Sequence, residues 1–238
     1  MYIYNKKILF SDVDSDSKIT VDGIINSMQD CINLNSEAIG KGIDFIKSNK
    51  RTWFTIGWCI YLKRRPKLFE DIAIMTWPYD FMASMGYRNV VITDSKGEDI
   101  VWADSIWTLM DMEEGKPVKI TDNDIQGYDL EPRYPMDKVN RKIKCISEFE
   151  KVDEISVKKC DIDFNGHMSN AKYIQIANEY VPLDYEIKRI RVEYKQQSVY
   201  GEKIDILLSN YQNDDEDIYV VKFVGKDEVI KAIVEFLG

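Results

Sequence analysis

One stretch of the chain occurs twice. "SDVDSDSKITVDGIINSMQDC" near the N-terminus returns past the middle as "KCDIDFNGHMSNAKYIQIANE". Asp12-Val13-Asp14 matches Asp161-Ile162-Asp163, and a polar turn comes after each triplet. A helical pattern is next: Ile24, Ile25, Met28, Cys31 and Ile32 in the first copy, Tyr173, Ile176, Ala177 and Tyr180 in the second. Ser169 stands where the second helix needs an N-cap. An internal repeat of this length restricts the fold to two copies of one supersecondary unit.

The segments beyond the two helices repeat as well. "WFTIGWCIYL" at Trp53–Leu62 and "KRIRVEYK" at Lys188–Lys195 are β-branched and aromatic and predict strands, as do "EDIAIMTW" at Glu70–Trp77 and "EKIDILLS" at Glu202–Ser209. Two hairpins come after them, turning at Ser95-Lys96-Gly97 and Gly225-Lys226-Asp227. Each half therefore reads strand, helix, four strands. Five antiparallel strands with one helix on the concave face bury both apolar patterns, an α+β arrangement. The boundaries read as a first domain over 1–115, a linker over 116–145 and a second domain over 146–238. Pro117, Pro132, Pro135, Gly115 and Gly127 argue against regular structure in or beside the linker.

The chain is 45% hydrophobic and 31% charged, enough apolar content for a packed core. Its apolar runs are too short for a membrane-spanning helix. The start, "MYIYNKKILFSDVD", has no signal-peptide pattern, so the expected compartment is the cytoplasm. Cys31, Cys59, Cys145 and Cys160 form no C-x-x-C pair and read as free, mostly buried thiols. A net charge of −9 excludes broad nucleic-acid binding. Basic clusters at Leu62–Lys67, Asn140–Lys144 and Lys188–Arg191 are solvated faces or docking sites for an acidic partner.

His167 is the only histidine. Asp163, Asn165 and His167 alternate, and in an extended approach to the helix they would share one face. Gly166 permits a sharp turn. The first amides of the adjoining helix have no intrahelical acceptor and are suited to polarising a carbonyl. A carboxylate, an amide, an imidazole and free N–H groups are the parts for attacking an activated acyl group with water. One histidine near Asp163 and Cys160 falls short of a zinc ligand set, and no phosphate loop, G-x-S-x-G elbow or dinucleotide fingerprint occurs, so no metal or cofactor is expected.

Asp163-Phe164-Asn165-Gly166-His167-Met168-Ser169-Asn170, continuing Lys172-Tyr173-Ile174, resembles the D-x-N-x-H-x-x-N-x-K-Y signature of the acyl-acyl carrier protein (acyl-ACP) thioesterases. "RVEYKQQSVYGEKI" resembles that family's "EYRREC…GD" block. The resemblance implies two tandem hotdog domains, each an antiparallel sheet wrapped around a long central helix. It implies that the C-terminal domain carries the catalytic residues and that the N-terminal one shapes the acyl pocket as a silent copy, with Ser15-Asp16-Ser17-Lys18 in place of Phe164-Asn165-Gly166-His167. The implied reaction is hydrolysis of fatty acyl-ACP to fatty acid and holo-carrier, terminating fatty acid synthesis. Asp163, Asn165, His167 and Gln197 are the implied catalytic positions, and an acidic carrier bound by basic patches is the implied partner. The family usually has glutamate at Gln197, and the plant enzymes cysteine at Ser198. Glutamine cannot take a proton from water. A hotdog acyl-CoA thioesterase and a weakly active or non-catalytic acyl-binding protein are the alternatives. Hotdog hydratases fit less well, because their motif contains a proline and sets the histidine one residue further from the aspartate. The tandem repeat is compatible with a monomer or a homodimer.

Overall fold

The computed structural model describes residues 1–138, 140–144, 147–213 and 216–238, and the chain forms two units, Met1–Lys138 and Val139–Gly238.

The first unit contains β1 (Tyr2–Lys7), α1 (Val21–Ala38), α2 (Ile43–Asn49), β2 (Arg51–Leu62), β3 (Asp71–Met82), β4 (Met85–Asp94), β5 (Asp99–Asp111), the short β6 (Lys116–Pro117) and α3 (Asp122–Ile125). Its antiparallel sheet runs β1-β3-β4-β5-β2, with β6 beside β5. The second unit contains β7 (Glu150–Ser156), α4 (Asn170–Asn178), β8 (Arg189–Tyr194), β9 (Lys203–Asn213), β10 (Glu216–Val224) and β11 (Ile230–Leu237). Its sheet runs β7-β9-β10-β11-β8, also antiparallel. The two orders are the same once each strand is counted from the start of its unit. This is the tandem hotdog architecture.

The apolar face expected of α1 is the buried one: Ile24, Ile25, Met28 and Cys31 are fully buried. In the shorter α4 the buried face is turned relative to the expected pattern. Tyr173, Ile174 and Ala177 are buried, whereas Ile176 is half-buried and Tyr180 lies past the helix, donating to Asp153. Ile174 therefore takes the core position expected for Ile176. Tyr173 packs edge-on against Phe223 of β10, with centroids 5.1 Å apart, and against Tyr194 of β8 at 5.9 Å. On the opposite face of that sheet, Ile218, Val220, Ile233 and Leu237 are covered by Ile143 and Phe149.

The segment expected as a linker is bound tightly where it is described. Trp77 donates its indole N–H to Pro132 O, Asn89 accepts from Tyr134 N, and Arg133 pairs with Asp104 at 3.0 Å. Residues up to Lys138 thus belong to the first unit. Proline removes ladder donors, so the segment is irregular, but side chains of the strands hold it instead. Cys31 is buried, Cys59 half-buried and Cys160 exposed, which corrects the expectation of mostly buried thiols. Cys145 lies outside the described residues. Among the described residues, no helix is long and apolar enough to cross a membrane.

Phe223 is fully buried at the centre of the second core. Phe223→Ala should therefore cost about 3–5 kcal/mol. Urea unfolding monitored by far-ultraviolet circular dichroism measures this, and a loss below about 1 kcal/mol would show that the aromatic contact is not central.

Candidate active site

The segment between β7 and α4 closes on itself. Lys158 N donates to Asp161 Oδ2 at 2.8 Å, and Ser169 N donates to Asp161 O at 2.8 Å. Ile162 and Met168 form an antiparallel bridge. Inside it, Asp163 N donates to His167 O at 2.8 Å and Gly166 N to Asp163 O at 3.0 Å. The Asp163 carboxylate turns inward, its Oδ1 accepting from Asn165 N at 2.8 Å and His167 N at 3.5 Å. Gly166 has φ +82°, a backbone state that L-residues adopt only with strain. The loop corrects the expectation of an extended run with three side chains on one face: Asp163 is drawn into the turn as its hydrogen-bond hub.

Within this loop Asn165 is exposed and His167 half-buried. The Nδ1 atom of His167 is buried and, among the described residues, has no hydrogen-bond partner. Buried polar atoms are mostly paired, so this nitrogen calls for an explanation, as do Thr55 Oγ1, Trp58 Nε1 and Arg189 Nε. Ser169 is the N-cap of α4, as expected, but its side chain makes no capping bond. Thr20, at the same place before α1, accepts from Gly23 N at 3.1 Å. The start of α4 thus lacks the side-chain cap that closes α1.

Gln197 reaches this loop through the backbone. Met168 N donates to Ser198 O at 2.8 Å, so His167 and Gln197 each stand one residue before a hydrogen-bonded pair. The hydroxyl of Tyr173 donates to the buried Ser198 Oγ at 2.8 Å. Burial pushes Tyr173 up to about 12, so it stays protonated and donating. The carbonyl of Gln197 accepts from Lys231 Nζ at 3.2 Å, and the same ammonium pairs with Glu202 at 2.5 Å. Gln197 itself is exposed. The sequence pattern marks Tyr173 only as core and does not mark Ser198, Glu202 and Lys231 as supports. The charge of Lys231 inside the apolar run "VIKAIVEF" is the one local signal of them. Among the described residues no three acidic, histidine or cysteine side chains converge as metal ligands.

The first unit builds the same loop. Asp14 N donates to Lys18 O at 2.9 Å, Ser17 N to Asp14 O at 3.0 Å, and Asp14 Oδ1 accepts from Asp16 N and Lys18 N. Ile19 N donates to Pro66 O as Met168 N does to Ser198 O. In this copy Lys18 stands at the place of His167 and Arg65 at that of Gln197. The Arg65 guanidinium pairs with Asp14 and donates to Ile19 O at 3.0 Å. Burial acts to raise the Asp14 carboxyl, but the Arg65 hydrogen bond and charge, with the Lys18 and Asp16 amides, outweigh it and hold the carboxyl below its usual range. The first copy is closed by an internal ion pair where the second presents an imidazole and a neutral amide.

A family model described as the acyl-ACP thioesterase N-terminal domain matches residues 1–128, and one described as the C-terminal domain matches residues 145–236. The chloroplastic oleoyl-acyl carrier protein thioesterase of Coriandrum sativum is 24% identical over 94% of this chain and 66% of its own length. The chain spans 60% of a chloroplastic oleoyl-acyl carrier protein thioesterase from Arabidopsis thaliana, also at 24% identity. Among solved structures, an acyl-ACP thioesterase from Bacteroides thetaiotaomicron superposes with TM-score 0.89 at 21% identity, covering 99% of this chain and 97% of that one. A 12:0-ACP thioesterase from Umbellularia californica superposes with TM-score 0.84 at 15% identity, covering 99% and 95%.

The two loops should respond differently to truncation. Arg65→Met should lower stability by up to about 1 kcal/mol at pH 7. Because the folded-state carboxyl of Asp14 is depressed, that stabilisation is present above its unfolded value and lost as pH falls through the folded one. The stability gap between wild type and Arg65→Met should therefore shrink in acid. Gln197→Ala, at an exposed side chain, should leave urea unfolding unchanged within about 0.5 kcal/mol. A gap that widens in acid would contradict the ion-pair assignment.

Proposed function

The chain belongs to the acyl-ACP thioesterase family, and on that premise we propose that it hydrolyses fatty acyl-ACP to a free fatty acid and holo-carrier. The observation that carries the reading is the buried Nδ1 of His167, without a partner among the described residues, in the loop that opens α4. In the proposed reaction, the thioester carbonyl is held by Asn165 and by the first amides of α4, which Ser169 leaves uncapped. Water adds to the carbonyl carbon and loses a proton, the C–S bond breaks, and the carrier thiol leaves with a proton. His167 carries out proton transfer, Asp163 fixes the loop and orients the water, and Gln197 positions that water through its amide. The first domain, read from the sequence as 1–115 and extended in the fold by the strap up to Lys138, shapes the acyl pocket and performs no chemistry. Its Asp14–Arg65 pair supports that assignment, since the carboxylate there is already neutralised. The proposal includes a cytoplasmic location, a reducing compartment suited to the exposed free thiol of Cys160.

His167→Ala should lower kcat by about a hundred- to ten-thousand-fold with the fold intact. The readout is thiol release from acyl-ACP beside circular dichroism. A loss under about fivefold in a folded variant would return the histidine to a structural role.

A second reading, an acyl-binding protein with little turnover, is favoured by the amide at Gln197, which has no proton-accepting capacity. The two separate on substitution. If Gln197 positions water, Gln197→Ala lowers kcat about ten- to a hundredfold and Asp163→Asn costs more. A large gain in kcat for Gln197→Glu would support the weakly active protein instead.

A further inference from the structure

We infer that the acidic carrier docks on the second unit through Lys158 and Lys159, with Phe164, Val199 and Tyr200 as the apolar part of the same contact. This rests on the reading of the chain as a carrier-linked thioesterase. Two of the three basic clusters visible in the sequence are largely occupied, while the third, Asn140–Lys144, is in no ion pair among the described residues but is anchored by hydrogen bonds to Arg191 and Glu193 of β8 and not to the histidine loop. Lys63 pairs with Glu98, Arg64 with Glu70 and Asp94, Arg65 with Asp14, and Arg189 and Arg191 with Glu235. A cation already neutralised within the fold offers little field to a partner. Lys158 and Lys159 are exposed and, among the described residues, in no ion pair. The acids nearest in sequence are engaged: Asp161 accepts from Lys158 N, Glu154 pairs with Lys203, and Asp163 accepts from two loop amides.

The position is as informative as the charge. Lys158 is hydrogen-bonded through its backbone to Asp161, whose carbonyl holds Ser169 at the start of α4. The turn carrying Val199 and Tyr200 is clamped beside Lys158, because Gly201 N donates to Val157 O and Val157 N to Glu202 O, both at 2.9 Å. Phe164 lies in the histidine loop itself. Phe164, Tyr200 and Val199 are 76%, 61% and 50% exposed, on the loop and the turn that the Met168 N–Ser198 O bond ties together. Two free lysines beside exposed aromatics match what an acidic helical or loop surface with an apolar anchor would bind. The repeat supplies a control. In the first unit the positions of Lys158 and Lys159 are Leu9 and Phe10, so the basic pair accompanies the copy with the histidine and is missing from the copy without it.

The test compares wild type with Lys158→Glu/Lys159→Glu in the full chain. Three quantities are read: KM for acyl-ACP, Kd for holo-carrier by fluorescence anisotropy, and kcat/KM on a neutral acyl-pantetheine thioester. The expected result is a rise of about tenfold or more in both carrier constants. The neutral thioester should be cleaved within about twofold of wild type, and the salt dependence of carrier KM should flatten. Tyr200→Ser should raise carrier KM with the salt dependence retained. A doubly reversed variant that cleaves the neutral thioester and keeps carrier KM and Kd within about twofold overturns the docking surface. Wild type that cleaves neither thioester overturns the enzymatic reading instead, and the Kd comparison still decides the docking.

Discussion

Both units depend on one aspartate carboxylate turned back into a short loop. Asp14 and Asp163 each gather two backbone amides that neither helix nor sheet can serve. Hydrogen bonds to an ionised acceptor contribute about 1.5–3 kcal/mol each when they replace unsatisfied donors. They fix where the chain enters the central helix. With that entry fixed, α4 presents Tyr173 to Phe223 and Tyr194, and the carbonyl of Ser198 meets Met168 N. The site is therefore an elaboration of a turn that both repeats need in order to fold.

Given a common turn, the copies diverge through two side chains. Arg65 makes the first loop a closed electrostatic unit, while His167 and Gln197 stand at the places of Lys18 and Arg65 in the second. Arg65 neutralises Asp14, whereas Gln197 brings no charge to Asp163. The second copy secures its Gln197 segment from behind, through the Lys231 ammonium held between Glu202 and the Gln197 carbonyl. A buried ion pair of this kind specifies position more than it stabilises, since desolvation offsets much of the attraction. The charge that the first copy carries in the loop thus stands in the support of the second.

Much of this is legible in the sequence because the repeat constrains it. The strand-helix-four-strand order, the core face of α1 and the correspondence of Asp14 with Asp163 come from pattern and register. The short α4 is harder: Ile174 and Ile176 both satisfy an amphipathic pattern, and only packing against Phe223 selects the face. The loop reads as extended because alternation of Asp163, Asn165 and His167 has the period of a strand, while aspartate and glycine at these positions favour the turn that forms. The strap up to Lys138 resembles a linker because its partners, Asn89 and Asp104, lie far away in sequence. Lys231 and Glu202 act through tertiary contact, which no local pattern encodes.

The central claim is that the second loop delivers water to a carrier-bound thioester. A single turnover with enzyme in excess over acyl-ACP, run in ¹⁸O-labelled water with thiol and fatty acid quantified by quenched mass spectrometry, tests it most directly. The account predicts thiol and acid appearing together, with one solvent oxygen in the acid from the first turnover. Thiol released in a burst ahead of acid would contradict direct water attack, and carrier bound without thiol release would contradict hydrolysis altogether.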